Sequence, residues 1–182
     1  MSIIRQEAPH VSSGGLALLR DAVAEYLARR GKRFDPDDYQ RVVACPQLGR
    51  QIAAAYQRAP VASSAAVGAY DALRVETDRQ FRLLTDPPCK GGLGFRVTIV
   101  PDDPYNDNDR LQADLDNGQL WVWSTAACAN RHPLLSDADN DMFRAVHDAF
   151  GHGGTGRGFD VHGEEAAWYY SRGFTVGYRL CL

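Results

Sequence analysis

The chain has 182 residues, 45% hydrophobic and 24% charged, with a formal net charge of −3. That composition suits a globular protein with a real hydrophobic core. A sequence pI near 5.9 lacks the basic excess of a general nucleic-acid binder. No apolar run approaches the ~20 residues of a membrane helix.

Residues 1–14 read as a flexible arm, and 15–182 as one domain with a helical part (15–85) and a part holding a small sheet plus motif helices (94–182). The arm has no basic region followed by an apolar run, so no secretory leader is expected and the setting is read as cytoplasmic. Leu16, Leu19, Val23, Tyr26 and Leu27 fall at helical spacing over 15–30, and Gly31 stops that helix. A second helical region spans 34–60, interrupted at Pro46 and ended by Pro60. Residues 64–85 form a long amphipathic helix, broken by DPPCKGG.

The periodicity then changes. GFRVTIV (94–100) and QLWVWSTA (119–126) alternate and are β-rich, and the segment between them reads as a short capped helix closed by Gly118. A parallel unit and an antiparallel pair both fit. Another helix starts near Ser136, and a last one covers roughly 161–173. The fold class is α+β: a predominantly helical single domain with a small two- or three-stranded sheet. Cys45, Cys89, Cys128 and Cys181 are widely spaced with no CxxC, the pattern of free thiols. The acidic run from Asp102 fails the EF-hand test, with Asp107 where Gly is required and Ala113 where Glu is required.

Chemistry concentrates in FRAVHDAFGHGGTGRGFDVHGEEAAW (143–168), which holds three of the five histidines and six glycines. On the preceding helix His147 lies at the edge of an apolar face formed by Met142, Phe143, Val146, Ala149 and Phe150. His152 is five residues on, about 140° away on a regular α-helix. The two imidazoles can share an ion only if the helix stops being regular, and Gly151 is the expected stop. In the last helix Gly163, Ala166, Ala167, Tyr170 and Phe174 form the core face, Asp160 is the N-cap, Glu164 lies at the edge and Glu165 further toward solvent.

Packing these helices together would join His147, His152 and Glu164 as metal ligands. Two histidines and a carboxylate leave coordination positions open, as in a catalytic zinc site or a facial iron(II) site. Asp148, Glu165 and His162 are candidates for proton transfer or ligand orientation. Arg144 and Arg157 are candidates for binding an anionic substrate. GGTGRG is neither a Walker A motif nor a dinucleotide fingerprint, and HExxH is absent.

Two resemblances add to this. HDxFGH followed by GxxFDxHGEExAW, with DPY upstream, resembles a largely uncharacterised family encoded by bacteriophages and bacteria, over roughly residues 65–176. It implies a phage or bacterial source and no particular reaction. The six residues His147-Asp148-Ala149-Phe150-Gly151-His152 are similar to the H-E-x-x-G-H iron motif of pterin-dependent aromatic amino acid hydroxylases. That similarity implies iron on His147 and His152, with Glu164 or Glu165 completing the triad. Asp148 replaces that family's glutamate, the third ligand comes sooner, and no pterin-binding pattern appears.

The function expected from the sequence is a metal-dependent enzyme acting on a small or anionic substrate. An iron(II) oxygenase or hydroxylase is favoured and a zinc hydrolase is the alternative. A third expectation, from a different class, is a phage accessory or host-inhibiting binding protein without catalysis. It would work in the bacterial cytosol and meet a host protein through aromatics such as Trp121, Trp123, Tyr169 and Tyr170.

Overall fold

The computed structural model describes residues 13–29, 31, 33, 46–58, 63–128 and 131–174. Most of the arm, much of the second predicted helix, Cys45 and Cys181 lie outside them. Helix α1 (Gly15–Ala28) buries Leu19, Val23 and Leu27, one residue per turn. It begins against the end of a later helix: a Cβ on Gly15 would stand 2.4 Å from the Leu115 carbonyl oxygen, so only glycine fits. Gly31 follows at φ +68°, a left-handed position suited to the predicted stop.

Among the described residues helix α2 (Pro46–Arg58) begins at Pro46, and the first turn needs no N–H from that residue; the preceding part of the predicted region lies outside the described residues. None of its residues is buried. Helix α3 (Ser64–Thr85) is capped by Ser63, whose hydroxyl accepts from the Ala66 N–H at 3.1 Å. It ends where Asp86 turns extended before Pro87.

Strands β1 (Arg96–Val100) and β2 (Gln119–Trp123) pair in parallel, Arg96 opposite Gln119 and Val100 opposite Trp123. Helix α4 (Asn108–Asp116) makes the crossover, capped by the Asp107 carboxylate on the Arg110 N–H. The direction that alternation left open is thus the βαβ unit. Both strands are shorter than predicted, and the chain after β2 passes into a 3₁₀ turn at Thr125–Ala127. Tyr105 of the DPY segment is buried, and its hydroxyl accepts from the Trp121 N–H at 3.0 Å, tying the loop after β1 to β2.

Helix α5 (Asp137–Val146) starts at a capping box, Ser136 with Asp139. A π-helical segment (His147–Gly153) continues it directly, and α6 (Val161–Phe174) follows a turn. The core gathers Leu19, Leu84, Phe95, Leu111, Leu120 and Phe150 between α1, α3, α4, the sheet and the π segment. The architecture is a mostly helical α+β domain with a two-stranded sheet. No described helix is long and apolar enough to cross a membrane.

Candidate metal centre

The π segment is where the structure departs from the sequence reading. Gly151 does not end the helix and does not take positive φ. The helix instead widens to i→i+5 hydrogen bonding, which stacks residues five apart on one face and so brings His147 and His152 together. Their rings meet edge to face, centroids 4.9 Å apart.

Glycine is needed here for space. A Cβ on Gly151 would stand 2.9 Å from the Ala167 Cβ of α6, and one on Gly153 would stand 2.5 Å from Leu115 Cδ1. The wide turn therefore packs against its neighbours through backbone. In α6, Gly163, Ala166, Ala167 and Tyr170 are buried, as the predicted face requires. The Asp160 carboxylate accepts from the Gly163 N–H at 2.7 Å, the predicted cap.

This docking sets Glu164 against both histidines. Its Oε2 lies 3.3 Å from His147 Nε2 and its Oε1 lies 3.5 Å from His152 Nε2. His152 is 1% exposed, His147 24% and Glu164 51% at the side chain, so the cluster reaches the surface through its carboxylate. Donor atoms of His147, Asp148 and His152 also lie within 4.8 Å of one another.

The glycine-rich turn supplies a constraint that the sequence did not reveal. His152 Nδ1 lies 3.0 Å from the Arg157 carbonyl oxygen. A carbonyl only accepts, so Nδ1 carries the proton and Nε2 is left as a lone pair. That Nε2 is buried without a hydrogen-bond partner and faces a carboxylate oxygen. Two acceptors face each other, an arrangement that a cation between them satisfies. It is thus the backbone of Arg157, predicted for its guanidinium, that orients the site.

The electrostatics distinguish the two histidines. Burial pushes the His152 imidazole down, with the nearby His147 adding to the effect, which favours its neutral form. Burial also depresses His147, but its hydrogen bond to Glu164 and the charge of Asp148 outweigh that and the net shift is upward. The hydrogen bond from His147 holds Glu164 below the usual carboxylate range. Burial raises Asp148 to about 7, with Glu164 and Asp103 adding to the rise while His147 and Arg144 oppose it.

The remaining predicted residues are placed differently. Glu165 is less exposed than Glu164, not more, and its Oε2 lies 3.9 Å from His162 Nδ1. Arg144 donates to the Trp123 carbonyl at 3.0 Å and lies over the Trp123 indole at 5.8 Å. Of the aromatics considered for a partner surface, Tyr170 is buried, Trp121 packs on the core and Trp123 is partly exposed, while the Tyr169 side chain is outside the description. Comparison with models of protein families, with curated proteins and with solved structures gave no match in any of the three.

Proposed function

We propose that the chain is a metal-dependent hydrolase that holds one zinc ion on His147, His152 and Glu164. The observation that carries this reading is the buried lone pair of His152 Nε2, fixed by the Arg157 carbonyl and aimed at the Glu164 carboxylate. Two imidazoles and one carboxylate suit zinc, with a fourth position left open for water.

Such an ion would lower the pKa of a bound water toward 7. Asp148 is next to His147, with a donor atom within 4.8 Å of those of both histidines, and would be the proton acceptor. It would take the proton as the water oxygen adds to a carbonyl carbon, and would return it to the leaving oxygen or nitrogen as the bond to carbon breaks. His162 and Glu165 flank Glu164 in the same turn of α6, with His162 Nδ1 3.9 Å from Glu165 Oε2.

A second reading, iron(II) with oxygen-dependent hydroxylation, is supported by the ligand set itself, two histidines and one carboxylate with further positions open. The test is turnover of an ester and amide panel by zinc-loaded protein, with oxygen uptake followed on iron-loaded protein. Hydrolysis abolished by a chelator and restored by zinc supports the first reading. Oxygen uptake with iron and no hydrolysis replaces it with the second.

A further inference from the structure

Phe159, Val161 and Trp168 are 38%, 67% and 40% exposed, although all are large and apolar. Their positions are related. Val161 and Trp168 lie three residues before and four residues after Glu164 on α6, the spacings that share a helix face. Phe159 packs its ring on that of His152, centroids 4.8 Å apart. Exposed apolar side chains thus flank the half-exposed carboxylate on both sides and continue to the buried imidazole. Scattered apolar residues are normal on a surface, but three that flank one polar site can receive the apolar part of a ligand held there.

We infer that this rim is the specificity subsite of the centre, and that the substrate is an ester or amide bearing a bulky apolar group beside its scissile carbonyl. The inference rests on the proposed metal centre. The carbonyl end would reach the ion past Glu164, and the apolar group would lie along Val161 and Trp168 with its near edge on Phe159. Arg144, engaged at the end of β2, plays no part in this arrangement.

Two hydroxamic acids test it, since both chelate a metal through the same head and differ only in the group attached. Calorimetric titration of zinc-loaded protein should show benzohydroxamic acid binding about tenfold tighter than acetohydroxamic acid. In Trp168→Ala, and separately in Val161→Ser, the ratio should shrink toward one, while zinc content and acetohydroxamic acid binding stay at the wild-type level. Each change is at an exposed position, so two folded variants are available. An unchanged ratio in both overturns the subsite and leaves the metal centre standing. Failure of both hydroxamates to bind wild-type protein overturns the centre and the subsite with it.

Discussion

Substituting Gly151 with alanine separates a packing effect on the site from an effect on the fold. The new Cβ would stand 2.9 Å from Ala167 Cβ and 3.4 Å from Ala167 Cα. Carbon atoms rest at about 3.5–4.0 Å, so α6 must retreat by about 0.6–1 Å. Overpacking of this kind costs about 1–3 kcal/mol, and replacing a helical glycine with alanine returns about 0.5–1 kcal/mol. The net loss of stability is therefore about 0–2.5 kcal/mol. The retreat, however, carries Glu164 away from both histidines, because it sits on α6 less than one turn before Ala167. Weakened support for a ligand costs about 10–100-fold in metal affinity. Competition against a chromophoric chelator should show that loss in Gly151→Ala, with the helical fold retained. Adding Ala167→Gly removes the opposing methyl and should restore most of the affinity, while the new glycine inside α6 costs about 0.5–1 kcal/mol of stability. Wild-type affinity in the single variant, or no rescue in the double, refutes the docking argument.

Further outcomes follow from the same geometry. Asp148→Asn should keep its metal and lose turnover; loss of metal would make Asp148 a ligand instead of a base. The same variant bears on pH. A carboxyl raised from 3.8 to about 7 in the folded state favours the protonated form, so its contribution is lost as pH rises between those values, by at most about 4 kcal/mol. Metal-free Asp148→Asn should therefore gain stability relative to wild type between pH 5 and 7.5 in urea titrations, and an unchanged difference would contradict the shift. Gly163→Ala would put a Cβ 1.6 Å from the Gly158 carbonyl oxygen, a clash of backbone with backbone. It should displace the turn that presents the Arg157 carbonyl and abolish metal binding, as elemental analysis with near-ultraviolet circular dichroism would show. His132 Nδ1 accepts from the Leu134 and Leu135 N–H groups at 3.1 and 3.0 Å. His132→Ala should cost about 1–3 kcal/mol through those orphaned donors and leave metal content intact.

Much of the fold was legible because local signals agreed with each other. Helix α3 occupies the predicted residues, bounded by a serine cap and by the proline after Asp86. Ser136 marked the start of α5, and the small residues of α6 marked its buried face. Strand direction was not legible, since alternation records which face is buried and not which way the partner runs. The π segment escaped because helical periodicity assumes a fixed angle per residue, while this turn widens. The reason lies in non-local contacts, Gly151 against Ala167 and Gly153 against Leu115. For the same reason glycine was read as a helix stop where it serves as a close contact. The choice between Glu164 and Glu165 depended on helix phase and needed the docked α6. The Arg157 carbonyl left no mark in the sequence, because any residue at that position offers one.

The most direct test of the centre is metal content by elemental mass spectrometry of anaerobically purified wild type, His147→Ala and His152→Ala. Near-stoichiometric divalent metal, zinc foremost, is expected in the wild type, and its loss in both variants with the helical fold retained. A well-folded wild type that holds no metal, even after reconstitution with zinc or iron(II), would contradict it.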